Sequence, residues 1–254
     1  MKVLWGLAGL AAFALLGEVL PRLEVVPSRF APPTSRVATA LWQEVQLPRF
    51  WSAMADTLRT WGLGLFIAVA AGVVLGVVIG AVPLLRQATA STIEFLRPIP
   101  SVALIPLAAL LYGATITSTL VLVVYASFWQ VLVQVLHGVA DLDPVARDTA
   151  LAYRLTPWQR VWHVLWPTAL PYAITGARLA ASVALILAIT GELILGSPGL
   201  GQEIAVAQSS NSVPEMYALI VVTGLLGLAA NVLARVGERR VLAWHPSVRG
   251  EVPA

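Results

Sequence analysis

The chain has no cysteine in 254 residues, which excludes a disulfide framework, a thiolate nucleophile and any cysteine-ligated metal or iron–sulfur centre. Charge is nearly as scarce. Asp, Glu, Lys and Arg make up 11% of the residues, where a water-soluble domain carries about 25%. With 58% hydrophobic residues and a mean hydropathy of +0.82, there is too little polar side chain to cover a surface facing water. An ordinary soluble enzyme is therefore excluded, and the same apolar load excludes disorder, collagen and coiled coil. No G-x-x-x-x-G-K-[ST] run is present to cradle nucleotide phosphates. His137, His163 and His245 are isolated, without H-x-x-x-H spacing, and read as structural or interfacial rather than metal-ligating. Ser182 and Ser197 have no neighbouring histidine to relay a proton, and no acids cluster inside an apolar run. The expectation is no catalytic, metal-binding or cofactor-binding residue. The net charge of +3 and pI near 9.7 come from arginines scattered between apolar runs, which fits the flanks of membrane spans and not a nucleic-acid-binding block.

In place of charge the chain has long uncharged runs. Crossing roughly 30 Å of hydrocarbon takes about 20 residues. Residues 60–85 carry no charge, and residues 98–140 are uncharged for twice the needed length. A small, polar break at Tyr112-Gly113-Ala114-Thr115-Ile116-Thr117-Ser118 divides the latter into two helices joined by a tight turn. Residues 179–202 hold one acid, Glu192, and residues 216–234 hold none, which brings the count to five spans. Lys2 and the apolar residues 3–17 resemble a signal peptide, but Leu15-Leu16-Gly17-Glu18-Val19-Leu20-Pro21 offers no small-x-small cleavage site, so an uncleaved first helix is expected. The expected fold is an all-α polytopic membrane protein with six transmembrane helices in one domain, residues 1–254. Its parts are a first helix (1–20), an outer Pro/Arg-rich segment (21–56), core spans (57–236) with a large connection (141–177), and a tail (237–254). With the N-terminus inside, eleven basic residues fall on the inner side and five on the outer, which orients both termini towards the cytoplasm.

The outer segment carries Trp42 and Trp51 and either lies along the membrane surface or is a plain linker. The connection 141–177 holds the most charge and four prolines, Pro144, Pro157, Pro167 and Pro171. Trp158, Trp162 and Trp166 recur every fourth residue, which puts three indoles along one side of a helix, for a partner protein or simply for the membrane interface. Gly64, Ala68, Gly72, Gly76 and Gly80 make a flat stripe on the second span, the pattern by which membrane helices approach closely. A carboxylate near the bilayer centre costs on the order of 2.5–3.5 kcal/mol, so Glu192 calls for a polar cavity, a partner or protonation, unless residues 191–201 already form the outer turn and it snorkels. Gln130 and Gln134, one helical turn apart, and Asn231 either line a path or bond neighbouring helices.

Asp148-Thr149-Ala150, Val164-Leu165-Trp166-Pro167, Ala169-Leu170-Pro171-Tyr172 and Thr175-Gly176-Ala177-Arg178-Leu179 together resemble the cytoplasmic "EAA" loop of bacterial ABC-importer permeases, in their nitrate/sulfonate/taurine branch. The likeness extends to Arg97-Pro98-Ile99-Pro100-Ser101-Val102-Ala103, to Gly191-Glu192 with Gly199-Leu200-Gly201, and to Glu238-Arg239-Arg240 ahead of Trp244, covering roughly residues 57–244. The resemblance implies a type I ABC importer permease of the bacterial inner membrane. Its partners would be ABC ATPase subunits, a second permease chain (the same or a different one), an extracytoplasmic substrate-binding protein and membrane lipid, with no nucleic acid. ATP and Mg would sit on the ATPase, and this chain would hold no cofactor. The solute would be small and anionic, of the nitrate, sulfonate or taurine, or aromatic carboxylate kind. A coupling helix would run from Asp148 to Gln159, with Asp148 and Ala150 at its entry and Thr156 and Trp158 near its tip. Glu192, Gly199 and Gly201 would belong to the outer gate, with Gln130 and Gln134 on the path. The chain departs from the family pattern with Asp148 for Glu, Thr149 for Ala, Arg154 for the signature Gly and Trp166 for Leu. With Arg at 154 the loop is expected to bend elsewhere, at Thr156-Pro157. An ion-coupled secondary transporter would need paired repeats, and none is visible. A non-transporting permease-like subunit with a decayed loop is the other alternative.

Overall fold

A computed structural model of the chain describes residues 2–244, and every regular element among them is a helix. In order these are α1 (Lys2–Arg22), α2 (Thr34–Val45), α3 (Pro48–Ala81), α4 (Pro83–Leu96), a 3-10 turn (Ser101–Leu104) leading into α5 (Ile105–Tyr112), α6 (Ile116–Ala140), α7 (Pro144–Ala152), α8 (Pro157–Arg160), a π-helical turn (Val161–Leu165), α9 (Trp166–Leu195), α10 (Leu200–Ser209) and α11 (Val213–Val241). Proline opens α3, α4, α7 and α8, where its missing N–H would have had no intrahelical partner.

Four continuous helices, Pro48–Ala81, Ile116–Ala140, Pro157–Leu195 and Val213–Val241, are long and apolar enough to cross a membrane. A fifth crossing follows from the packing of α3 on α6. The glycine stripe of α3 lies on a valine ridge of α6: Gly64 meets Val123, Gly72 meets Val131, Gly76 meets Val135 and Gly80 meets Val139, each pair 59 positions apart. A constant difference means parallel helices in register, so the chain between them must return across the same thickness. It does so through α4 and the 3-10/α5 segment, a pair bent by 81°. The apolar α1 is the candidate sixth crossing. It leans on α2, where Ser35 donates to Glu18 through its backbone N–H (2.8 Å) and its hydroxyl (2.9 Å), and most of its side chains are exposed.

On the other side of α6, α9 runs antiparallel: Gly138 packs on Tyr172, Gly176 on Gln134 and Gly191 on Thr119. α11 returns beside α9, joined to it by Arg178 and Glu238 at 2.9 Å. The bundle is thus centred on α6, with its core in Leu122, Val123, Val131, Leu132 and Val135 against Ala180, Ala184 and Ala188.

Several expected boundaries are corrected. The second span begins at Pro48, not residue 60, because Arg49, Asp56 and Arg59 end an uncharged run without ending a helix. It stops at Ala81, since Val82 precedes Pro83 and is driven extended (φ −112°, ψ 107°). Residues 98–112 do not form a straight span, because Pro98, Pro100 and Pro106 leave a 3-10 turn and an eight-residue helix. The break itself falls where expected, with Gly113 at φ 67° ending α5. The fifth span ends at Leu195 instead of residue 202, capped by left-handed Gly196 (φ 68°). The outer segment 21–56 contains α2 and the first turns of α3, with Ala40 and Glu44 buried and Glu44 paired to Arg49 at 2.7 Å. Of the tail 237–254, α11 takes the part up to Val241, and residues 245–254 lie outside the described residues.

Candidate functional site

Two regions carry the candidate residues, one at each end of α9. The first is the connection from α6 to α9. Asp143 caps α7, its carboxylate accepting the Val145 N–H at 2.9 Å. The expected single helix from Asp148 to Gln159 is two helices, and the bend lies at Arg154 and not only at Thr156-Pro157. Arg154 is left-handed (φ 54°); its N–H donates to the Leu151 carbonyl (2.9 Å) and the next N–H, of Leu155, reaches back to Ala150 (3.0 Å). This is a Schellman ending with arginine in the place that glycine usually takes. Thr156 then starts α8 with a capping box: its N–H donates to Gln159 Oε1 at 2.9 Å and its Oγ1 accepts the Gln159 N–H at 3.4 Å. Asp148 is exposed, whereas Ala150 is buried.

On α8 and the π turn, Trp158 and Trp162 stack with ring centroids 6.3 Å apart and planes within 13°. The π turn closes i→i+5 bonds, so the residues after it are rotated off the fourfold spacing. Trp166 is accordingly half-buried and leaves the stripe. Four large apolar side chains of this connection are exposed: Val145 (71% exposed) on α7, Tyr153 (79%) just after it, Trp158 (73%) on α8 and Trp162 (56%) in the π turn.

The second region lies at the far end of α9. Glu192 is fully buried and does not snorkel. Its Oε2 accepts two hydrogen bonds, from Thr57 Oγ1 on α3 at 2.8 Å and from the Gly201 N–H in the first turn of α10 at 3.0 Å. Thr57 in turn accepts the Leu200 N–H at 2.9 Å, and Oε1 of Glu192 has no partner. Beside it, Thr119 of α6 and Ser197 of the α9–α10 loop share a hydrogen bond at 2.6 Å. The loop's glycines are shaped by this carboxyl. A methyl group at Gly199, which has φ 151°, would overlap the Glu192 carboxyl, and one at Gly201 would overlap the Ile189 carbonyl. Both expected gate glycines therefore stand buried next to Glu192.

Gln130 and Gln134 are not with them. They sit half-buried at the α6–α9 contact, where a methyl group on Gly176 would come within 3.0 Å of Gln134 Cβ and 3.2 Å of the Gln130 carbonyl. The packing residues Gly64, Ala68, Gly72, Gly76 and Gly80 all face α6 or are buried beside it, except that Gly80 is half-buried. Sequence reasoning missed Thr57, Thr119 and, as a polar partner, Ser197; a buried hydroxyl is visible only once its distant acceptor is placed. It also missed a groove of about 360 Å³ between α9 and α11, which carries the hydroxyls of Ser182, Thr190 and Thr223.

Residues 68–243 match the family described as binding-protein-dependent transport system inner membrane components. The taurine transport system permease protein TauC of Escherichia coli (strain K12) is 28% identical over 253 residues, covering 98% of this chain and 92% of that protein. The nitrate import permease protein NrtB of Leptolyngbya laminosa is 26% identical over 193 residues, covering 76% and 69%. Among solved structures, a bacterial alginate ABC transporter in complex with alginate pentasaccharide-bound periplasmic protein shares the fold, with a TM-score of 0.65 at 13% identity, covering 90% of this chain and 95% of that one.

Proposed function

The chain belongs to the binding-protein-dependent transport system inner membrane components, the multi-pass permease subunits of ABC importers, and from that membership we propose that it couples ATP hydrolysis on separate ATPase chains to import of a small anionic solute. It is a transport subunit and not an enzyme. The observation that carries the coupling is the set of exposed apolar side chains on the α6–α9 connection, with Trp158 and Trp162 stacked on each other. Four large apolar side chains stand among Arg147, Asp148, Arg154 and Gln159, on helices too polar to lie in hydrocarbon. Such a patch, rimmed by charge, fits a protein partner better than lipid.

The chemistry of transmission follows from continuity. α8, the π turn and α9 form one run, Pro157–Leu195, of 39 residues. At 1.5 Å per residue this is a rod of roughly 58 Å, so a displacement at Trp158 reaches the Glu192 end without passing through a loop. Closure of two ATPases against the exposed cluster, with Asp148, Ala150, Arg154, Thr156, Trp158 and Gln159 at the contact, would tilt this rod and exchange the inward-open state for the outward-open one. The solute class follows from the relatives, a taurine transport permease and a nitrate import permease, since taurine and nitrate both carry a compact oxyanionic group. A second permease chain completes the path, and an extracytoplasmic binding protein delivers the solute. The excess of arginine on the connection side orients that side, with both termini, towards the cytoplasm.

The test is co-purification. Trp158→Asp, or Asp148→Arg, is expected to abolish recovery of the ATPase with the permease while membrane insertion continues. Normal recovery of the ATPase with both variants would remove the docking assignment.

A further inference from the structure

We propose that Glu192 is a positioning residue whose carboxyl clasps the α9–α10 loop to α3, so that the ends of α3, α6, α9 and α10 opposite the α6–α9 connection move as one block when the permease opens. The loop between α9 and α10 then does not swing as a flap. The proposal rests on the importer reading for its mechanical meaning, but the clasp stands on the geometry.

Two glutamates are fully or almost fully buried among the described residues, and they are held differently. Glu44 has Arg49 at 2.7 Å, an ion pair at the start of α3. Glu192 has no cation within salt-bridge distance among the described residues. It has a hydroxyl from α3 and a backbone N–H from α10, both converging on Oε2. A carboxyl at that depth without a cation is costly, and what it returns here is the anchoring of two elements at once. Thr57 is the hinge pin of the arrangement: it donates to Glu192 and accepts from Leu200, so a single α3 hydroxyl ties α9 and α10 together. Thr119 and Ser197 tie the same loop to α6. The loop's own backbone is cut to this fit, since Gly199 and Gly201 have no room for a methyl group against Glu192 and the α9 backbone. Around the polar ties, Phe50 and Ala53 of α3 pack with Leu200 and Ile204 of α10 and Leu219 and Val222 of α11. Because Glu192 is fully buried, it acts through the loop and does not touch solute.

The absence of native cysteine makes the test clean. Ser197 is fully buried, and Ser197→Cys weakens its tie to Thr119 but leaves the Glu192, Thr57, Leu200 and Gly201 bonds in place, so this reporter is protected from a water-soluble maleimide for as long as the clasp to α3 holds. In membranes, Glu192→Ala and Thr57→Val in that background are expected to react faster than the reporter chain alone, by on the order of tenfold, because each leaves unpaired a buried N–H at the start of α10, where the loop ends. Glu192→Gln, whose amide oxygen can accept both donors, and Thr57→Ser are expected to stay as protected as the reporter. During ATP turnover by the assembled importer the reporter should remain protected. Equal protection in all variants would overturn the clasp, as would Glu192→Gln reacting as fast as Glu192→Ala. Reporter labelling during turnover at the rate of Glu192→Ala would overturn the block and make the loop a flap. Thr57→Val keeps the test decisive if Glu192→Ala fails to accumulate. The comparison without ATP needs no transport, so failure of the ATPase to bind would strike the importer reading and leave the clasp result standing.

Discussion

Arg154 sits in a backbone region that costs an L-residue with a Cβ about 1–2 kcal/mol, and the Schellman bonds through Leu151 and Ala150 hold it there. Replacing it with glycine relieves that strain but adds entropy to the unfolded loop, worth about 0.5–1 kcal/mol in the other direction. Arg154→Gly is therefore expected to stabilise the bend by a net amount of about 0.5–1 kcal/mol, seen as slower exchange of the Leu155 amide, which bonds Ala150. Faster exchange would show that the arginine side chain itself secures the turn. This residue also marks a limit on what the sequence conveys. Its identity argues for a bend at Thr156-Pro157, because propensity disfavours arginine in a left-handed turn; the helix ending before it decides otherwise. Glu192 is the converse case. Its depth could be read from its position in an apolar run, whereas its partner Thr57 lies 135 positions away, beyond any local pattern.

At the scale of elements, the glycine stripe was legible because its period is that of a helix face, and the missing information was which helix it meets. Methyl groups at Gly72 and Gly76 would both lie 2.7 Å from a valine Cβ on α6, while Gly62, on the same helix, has nothing within 4 Å. Gly72→Leu is thus expected to destabilise the purified protein by about 1–3 kcal/mol through overpacking, measured as a lower midpoint of thermal unfolding in detergent. Gly62→Ala should leave the midpoint unchanged or raise it, as alanine is the better helix former. Equal effects of the two would deny the close approach. Helix ends were less legible than helix faces. Charged residues suggest span limits, yet α3 carries Arg49, Asp56 and Arg59 within its first turns, and what stops it is Pro83.

For the whole molecule, the parallel α3 and α6 set the parity of the crossings. With the bent α4–α5 pair returning between them, α9 and α11 complete five crossings, and α1 stands as the candidate sixth. The side-specific consequence is that a cysteine placed at Trp158 and one placed at Arg240 are labelled from the same face of sealed vesicles, and one at Gln46 from the opposite face. Labelling of positions 158 and 240 from different faces would break the topology. Five crossings were legible as a number from uncharged length, but the bend of one of them was hidden, because composition does not distinguish one straight span from two short helices broken at Pro98 and Pro100.

The fixed offset between α3 and α6 has a mechanical corollary. Four valines seated in notches four or eight residues apart work like teeth cut at one pitch. To slip, α3 would have to advance a full tooth, about 6 Å along its axis, with every tooth clearing its notch together. Intermediate positions put valine methyls against backbone, so the pair is indexed and cannot creep, and whatever sliding an importer needs must be found at seams without teeth.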